Sequence, residues 1–353
     1  MNDLIIALIH FAVSFLVCFG LTKWWISIAK KNKLVGKDMN KYTKPLVPEA
    51  GGIAVCFSII LALLLYIFFK TFIFKTALHL IEILTLIITL MLACFIGFID
   101  DILGWKRGLA GWKKILMTIP IAIPLMVMNA GHATMILPFV GSVNFGLLYP
   151  LIIVLLGVIG ATNGYNLLAG YNGLEASLGV VIFATLGIIS LKTGQLWLAL
   201  IAGIVVFSLL AFLLFNQFPA KIFPGDSLTY SLGSLIACFA ILGNMEKAAV
   251  LLFLPFIAEG VIKVRSRFKA ENFGKPKKDN SLELPYKKIY SLTHLILLML
   301  KKTTRDKKAT ERRVVNNFVL IETIIAICVL TVSYTHLRAH ETRHDLVCRL
   351  LLE

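Results

Sequence analysis

Long apolar blocks recur along almost the whole chain, and they restrict its fold more than any other feature. A block of about 20 apolar residues matches the roughly 30 Å hydrocarbon core of a bilayer. Because backbone groups inside lipid must be satisfied within their own segment, such blocks are expected to be helices. The candidate spans are residues 4–28, 51–69, 78–99, 114–130, 146–162, 174–190, 195–215, 228–242, 247–264 and 314–333. The sequence therefore predicts an all-α, polytopic membrane protein with about ten transmembrane helices.

The composition agrees with this fold class. Hydrophobic residues make up 58% of the 353 residues and charged residues only 15%, whereas roughly a quarter of a soluble domain is charged. The first block lacks a small-residue cleavage site and is too long for a signal peptide, so we expect a retained span. The six cysteines show no metal-ligand spacing, which favours buried apolar roles over disulfides or metal binding.

Basic residues are concentrated in alternate loops. The loops after odd-numbered spans, with the span ends beside them, hold 28 Lys and Arg residues, and the loops after even-numbered spans hold 4. The positive-inside rule places the odd loops in the cytoplasm. A net charge of +16 would suggest nucleic acid as a partner of a soluble protein. Here orientation and anionic ligands explain it better, so we expect a lipid bilayer and no nucleic acid as partners.

The odd loops also hold nearly all other notable polar groups. Segregation to one face is typical of an active site at a membrane surface, whereas a transport pathway would place polar groups along the depth of several spans. We expect one domain over residues 1–333 and a non-native tail at 334–353, where the chain turns polar abruptly. The expected cytoplasmic loops are residues 29–50, 100–113, 163–173, 216–227 and 265–313.

Acidic residues mark the ends of two spans. Asp100 and Asp101 close the third span, where paired carboxylates are costly without a cation or a proton to share. They could bind a divalent metal, supply a base, or simply end the span. Lys114 opens the fourth span, where its ammonium could face a phosphate. Asp226 precedes the eighth span, which fits either a helix cap or a magnesium ligand.

The fifth loop is rich in amides and glycines and carries Asn163, Asn166 and Asn172. Amide oxygens ligate hard cations, and amide groups can read a nucleobase edge; an ordinary Asn-Gly turn is the alternative. The spacing alone assigns no role to any one asparagine.

Arg265 and Arg267 begin the ninth loop. They could bind a pyrophosphate by bidentate contacts, or they could serve only the positive-inside pattern.

Together these loops offer carboxylates for a metal, amides for a base or sugar, and cations for phosphates. This set fits a metal-bound nucleotide substrate that meets a lipid substrate. A secondary transporter or flippase of a nucleotide sugar or lipid-linked sugar is the main alternative, and Glu82 and Glu322 are among its few mid-span candidates. A structural scaffold would leave the ordered acidic and amide motifs unexplained.

Residues 36–52, 96–114, 162–175 and 216–234, followed by the arginine pair, resemble the polyprenyl-phosphate N-acetylhexosamine-1-phosphate transferases. The similarity is closest to the dolichyl-phosphate N-acetylglucosaminephosphotransferase branch of archaea and eukaryotes. It implies transfer of N-acetylglucosamine-1-phosphate from UDP-N-acetylglucosamine to a polyprenyl (dolichyl) phosphate, with release of UMP, as the first step of lipid-linked oligosaccharide assembly. It also implies an active site that faces the cytoplasm, in the cell membrane of an archaeon or the ER membrane of a eukaryote. A homodimer is a further expectation.

The resemblance also implies roles for individual residues. Asn166 and Asp226 match the family's magnesium ligands, with Mn²⁺ as an alternative ion. Asn172 and Phe223 match the positions that hold the uracil by hydrogen bonding and stacking. Ser266 stands where the closer branch has a histidine, which leaves the role of that position open.

Catalytic roles are implied for three further residues. Asp100 and Asp101 match an aspartate pair that acts as a base for the lipid phosphate or in positioning, and Lys114 matches a phosphate-contacting position. The remaining matches are the phosphate contacts Arg265 and Arg267, and Glu49 and Asn163 as further substrate-binding positions.

Overall fold

The computed structural model describes residues 3–103, 111–137 and 141–350. Most of these residues are helical, which confirms the all-α class. In chain order the helices are α1 Asp3–Lys31, α2 Gly52–Phe68, α3 Leu80–Leu103, α4 Gly111–Val127, α5 Val154–Leu167, α6 Leu174–Lys192, α7 Leu196–Asn216, α8 Gly225–Leu242, α9 Glu246–Leu252, α10 Leu254–Val264, α11 Leu292–Thr303 and α12 Glu311–Leu350. Short π-helical segments extend α2 to Ile73 and precede α5 from Tyr149.

Eight helical stretches in the described ranges are long and apolar enough to cross a bilayer, which confirms a polytopic membrane protein. The number ten stays a prediction, because the fourth and ninth predicted spans correspond to shorter helices. The fourth is α4, with 17 residues, and the ninth divides at Phe253 into α9 and α10, with 7 and 11 residues. The eight stretches are Leu4–Lys31, Gly52–Ile73, Leu80–Leu103, Tyr149–Leu167, Leu174–Lys192, Leu196–Asn216, Gly225–Leu242 and Glu311–Ser333.

Short antiparallel hairpins occur in three of the connections, and the sequence analysis did not predict them. Backbone groups without helical partners pair across each loop. The first hairpin matters most, because it fixes the connection between α1 and α2 beside the candidate site. The pairs are β1 Val35–Lys37 with β2 Leu46–Pro48, β3 Thr134–Leu137 with β4 Gly141–Asn144, and β5 Lys275–Pro276 with β6 Leu282–Glu283.

Helix α8 lies at the centre of the bundle, and nearly all of its side chains are buried. It packs against α3 and α5, and small residues allow the close approach, as is common between membrane helices. A Cβ at Gly97 of α3 would lie only 2.5 Å from the carbonyl carbon of Asp226 and 2.6 Å from the nitrogen of Ser227. This contact brings the first turn of α8 against the end of α3, where Asp100 and Asp101 lie.

The last helix, α12, packs on α6 and begins close to the loop that precedes α6. It continues as a helix from its apolar part through residue 350. The proposal that residues 334–353 are non-native stays a prediction, and so do the domain limits.

Candidate active site

A cavity of about 550 Å³ opens at one end of the bundle, where the ends of α3, α5 and α8 meet the first loop. It gathers side chains that are widely separated in sequence and that come from the loops predicted to share one side. Eight of the eleven predicted site residues line this cavity. They are Glu49, Asp100, Asp101, Lys114, Asn166, Asn172, Phe223 and Asp226.

The other three predicted residues are not part of the cavity lining. Asn163 donates its side-chain amide to the hydroxyl of Thr118 and to the carbonyl of Ile159, both at 2.9 Å, and so ties α5 to α4. Arg265 and Arg267 follow α10 directly and are exposed to solvent. The roles of these three residues stay predictions.

A lysine and two carboxylates form the charged centre of the cavity. The ammonium of Lys114 lies 2.8 Å from Asp226 Oδ2 and is also paired with Asp100. The Asp100 side chain is almost fully buried, whereas those of Lys114 and Asp226 are about a quarter exposed, at 29% and 24%. Lys114 therefore holds two acidic side chains of different helices at one point, with its own charge open to the cavity.

Asp101 binds the beginning of α8. Its Oδ1 accepts the backbone N–H of Asp226 at 2.6 Å, and its Oδ2 accepts that of Ser227 at 3.1 Å. The first N–H groups of a helix lack intrahelical partners and carry partial positive charge, so a carboxylate there is stabilising. Gly225, with φ of +71°, permits the approach, since a Cβ there would lie 2.7 Å from the Asp101 carboxyl carbon. With both oxygens engaged in this way, Asp101 fits the positioning role better than that of a base.

Backbone pairing places Glu49 and Phe223 at the same wall. Phe223 donates its N–H to Pro48 O at 2.7 Å, and its carbonyl accepts the N–H of Gly51 at 2.9 Å. The loop before α8 is thereby fixed to the start of α2. Glu49 lies half-buried beside this junction, and burial raises the pKa of its carboxyl above the ordinary value, since desolvation disfavours the charged form.

Asn172 also lines the cavity and is 5% exposed. Its side-chain amide donates to Asp38 Oδ2 at 3.1 Å, and its backbone N–H donates to Glu311 Oε1 at 2.8 Å. Glu175, a further lining residue, accepts the N–H of Gly170 at 2.6 Å.

Asp38 and Glu175 line the cavity, and Glu311 contacts the lining residue Asn172, but none of the three was predicted from the sequence as a site residue. Their one available signal was an acidic residue within or beside a loop already singled out: Asp38 among the lysines of the first loop, Glu175 at the end of the amide-rich loop, and Glu311 at the end of the most basic loop. That signal is weak without knowledge of what each carboxylate faces.

The donor atoms fit a hard divalent cation. Asp226 supplies a carboxylate and Asn166 an amide oxygen in the lining of the same cavity, and Mg²⁺ favours one or two such protein ligands together with substrate phosphates and water. With all side chains ionised, Asp100, Asp101 and Asp226 exceed the single charge of Lys114 by two negative charges. Within the described ranges, no group of three or more His, Cys, Asp or Glu side chains forms a complete protein-only metal site.

Comparison with known proteins identifies the class. The sequence model of glycosyl transferase family 4 matches residues 83–244, the segment from α3 to α8 that supplies most of the cavity. A protein of Saccharolobus solfataricus is 35% identical over 301 residues, which cover 83% of this chain and 88% of that protein. The chain therefore belongs to glycosyl transferase family 4.

The relatives define the branch more closely. The name of the Saccharolobus solfataricus protein proposes it as a UDP-N-acetylglucosamine–dolichyl-phosphate N-acetylglucosaminephosphotransferase. A protein of the same name from Dictyostelium discoideum is 26% identical over 280 residues, 68% of this chain and 67% of that protein. A phospho-N-acetylmuramoyl-pentapeptide-transferase of Halalkalibacterium halodurans is 33% identical over 221 residues, 60% of this chain and 66% of that protein. The resemblance predicted from the motifs is confirmed.

Proposed function

We propose that this protein transfers N-acetylglucosamine-1-phosphate from UDP-N-acetylglucosamine to a polyprenyl phosphate such as dolichyl phosphate, and releases UMP. This would be the first step of lipid-linked oligosaccharide assembly. The observation that carries the proposal is the cavity itself, which combines a carboxylate–lysine centre with an amide-bearing wall at the end of a membrane bundle. The names of the relatives from Saccharolobus solfataricus and Dictyostelium discoideum agree with this reaction.

In this reaction an oxygen of the lipid phosphate forms a bond to the sugar-bearing phosphorus, and the pyrophosphate bond to UMP breaks. A phosphate monoester has a second pKa of about 6 and is largely doubly ionised at neutral pH, so the acceptor needs orientation and charge compensation more than a base. Lys114 is suited to this task, because its ammonium faces the cavity between Asp100 and Asp226. Electrostatic stabilisation of developing phosphate charge contributes strongly to such catalysis.

We propose Mg²⁺ as the cofactor, with Mn²⁺ as a substitute. Asp226 and Asn166 would hold the ion, and the excess negative charge around Lys114 supports the choice of a divalent cation. When bound, such an ion compensates pyrophosphate charge and stabilises the leaving phosphate. Asp101 would keep Asp226 in place by its two hydrogen bonds to the first turn of α8.

The amide-bearing wall would receive the uridine. The Nδ2 group of Asn172 donates a hydrogen bond to Asp38. Its amide oxygen is therefore the part of the side chain that can accept a hydrogen bond from an N–H group of the uracil. Phe223, on the same cavity surface, offers a ring for stacking. Glu49, Asn163, Arg265 and Arg267 are proposed as further contacts with the sugar and phosphates.

We further propose that the cavity faces the cytoplasm, which the 28-to-4 distribution of basic residues supports. The membrane would be the cell membrane of an archaeon or the ER membrane of a eukaryote. A homodimer stays a prediction.

The test is a single assay on the purified protein in detergent or nanodiscs, with UDP-N-acetylglucosamine, dolichyl phosphate and Mg²⁺. We expect UMP and lipid diphosphate sugar in equal amounts, and no UMP when the lipid phosphate is omitted. If the wild-type protein releases no UMP with any UDP-N-acetylhexosamine, the proposed reaction is wrong. Uptake of intact nucleotide sugar by proteoliposomes without UMP release would indicate the transporter instead.

A further inference from the structure

The first residue of α12 reaches into the wall of the cavity. Glu311 is 2% exposed, and its Oε1 accepts the backbone N–H of Asn172, which is 139 residues away in sequence. Its Oε2 is paired with the ammonium of Lys41 in the first loop. A single carboxylate thus connects the last long helix, the amide-rich loop and the first loop.

Lys41 extends the connection on the side of the first loop. Its ammonium lies 3.4 Å from Asp38 Oδ2 and 4.0 Å from the centre of the Phe218 ring. Asp38 in turn accepts the side-chain amide of Asn172 at 3.1 Å. Both the backbone and the side chain of Asn172 are therefore fixed by groups that converge on the Lys41–Glu311 pair.

We propose that Glu311, through its pairing with Lys41, is a positioning residue for the nucleotide end of the cavity. It sets the orientation of Asn172 and so determines affinity for the UDP part of the donor, without contact with the reacting phosphates. This inference rests on the proposed function. Both residues lie outside residues 83–244, the part of the chain that the family model matches.

The segment around Asn172 needs such support because of its own sequence. Gly170 and Gly173 adopt positive φ of +113° and +84°, and glycine backbones have many alternative conformations of similar energy. The segment is held from a second side as well, because Gly170 donates its N–H to Glu175 at 2.6 Å. The carbonyl of Gly170 also accepts the side-chain amide of Asn40 at 2.9 Å, and that amide lies 3.4 Å from Glu311 Oε1. Loss of the hydrogen bond from Asn172 N–H to Glu311 would leave this turn held at Gly170, while the backbone at Asn172 could change its conformation.

Removal of the Glu311 carboxylate should strongly disturb the conformation of Asn172. A buried hydrogen bond to a charged group is among the stronger ones in proteins, and removal of one member of a buried ion pair leaves the other charge uncompensated. Lys41 would then turn towards Asp38, which is the partner of the Asn172 side chain. The orientation of the amide oxygen of Asn172 would be lost with the backbone hydrogen bond.

The experiment compares Glu311→Ala, Glu311→Gln and Glu311→Asp with a matched control, Asp279→Asn. Asp279 forms an exposed ion pair with Lys308 at 2.8 Å in the same connecting region. For Glu311→Ala we expect KM for UDP-N-acetylglucosamine to rise about 10- to 100-fold, with kcat and KM for the lipid phosphate changed by less than about threefold. Glu311→Gln keeps one hydrogen-bond acceptor, so its KM for UDP-N-acetylglucosamine should rise less than that of Glu311→Ala. Glu311→Asp should retain part of the affinity for the donor, and the control should have the KM of the wild type.

Hydrogen exchange of the ligand-free proteins provides a readout that does not depend on the substrate. Faster exchange at Asn172 in Glu311→Ala, with unchanged exchange in α8, supports the proposal. Wild-type exchange at Asn172, or a loss of kcat with unchanged KM, would overturn it. If Glu311→Ala does not fold, the same two measurements on Glu311→Gln and Glu311→Asp decide the question. If the wild type releases no UMP, the proposed function fails, while exchange at Asn172 still decides whether Glu311 positions it.

Discussion

Replacement of Gly97 by alanine would directly test whether the approach of α3 to α8 sets the geometry of the site. The added methyl group would lie 2.5 Å from the carbonyl carbon of Asp226, whereas ordinary contact begins at 3.4 Å. The first turn of α8 must therefore move by about 0.9 Å, or α3 must bend by a similar amount. Either movement displaces Asp226 from Asp101 and Lys114.

The expected effect on activity is large and the effect on stability is moderate. A displacement of about 1 Å at a reacting centre can reduce the rate by roughly 100-fold. Overpacking destabilises by about 1–3 kcal/mol, which the better helix propensity of alanine offsets by up to about 1 kcal/mol. We therefore expect Gly97→Ala to remain folded in detergent at 25 °C and to release UMP about 100-fold more slowly than the wild type.

The control is Gly157→Ala in α5, a helix that also carries site residues. A Cβ at Gly157 would meet nothing within 4 Å, so this variant should keep wild-type activity. Thermal unfolding of both variants separates stability from geometry. Full activity of Gly97→Ala would refute the reasoning, because it would mean that the position of Asp226 can vary by almost 1 Å without consequence.

Three further predictions concern single side chains. Asp101→Asn should lower the free energy of unfolding by about 1.5–3 kcal/mol, because an amide cannot accept both N–H groups of α8; an unchanged melting temperature would argue against this cap. Asp226→Asn should raise the Mg²⁺ concentration needed for half-maximal UMP release by more than about 100-fold, and an unchanged Mg²⁺ titration would remove Asp226 from the metal site. Glu49 has a pKa raised by burial above its ordinary value of 4.5, so it stabilises the fold fully below pH 4.5 and loses that contribution as pH rises through its pKa. Glu49→Gln should therefore melt at a higher temperature than the wild type at pH 7.5, with a difference that shrinks towards pH 4.5, and a pH-independent difference would contradict the assignment.

The helices were largely predictable because each apolar block satisfies its backbone within itself. The start of α8 was not: the predicted span began at residue 228, and the helix begins at Gly225. Asp226 and Ser227 looked like loop residues, yet they are helical because Asp101 caps them from another helix. The ninth apolar block divides at Phe253, just before Pro255, whose missing N–H cannot continue the preceding helix.

The site was predictable where motifs are local and unpredictable where partners are distant. Asp100 and Asp101 are neighbours in sequence, and three asparagines share one loop, so both sets were visible as patterns. The pairing of Lys41 with Glu311 spans 270 residues and leaves no local pattern in either segment. Arg265 and Arg267 carried a clear pattern, but they lie outside the cavity lining.

The pairing of the first loop with the last long helix has a consequence for biosynthesis. Ribosomes add about 5–20 residues per second, so Lys41 is synthesised roughly 14–54 seconds before its partner Glu311, which lies 270 residues later in the chain. Late in this interval the nascent chain contains the carboxylates, Lys114 and Asn172, but it still lacks Glu311, which accepts the backbone N–H of Asn172. If Glu311 orients Asn172 as proposed, the nucleotide end of the cavity therefore reaches its final affinity for the donor only after the first turn of α12 has been synthesised and has packed against the amide-rich loop.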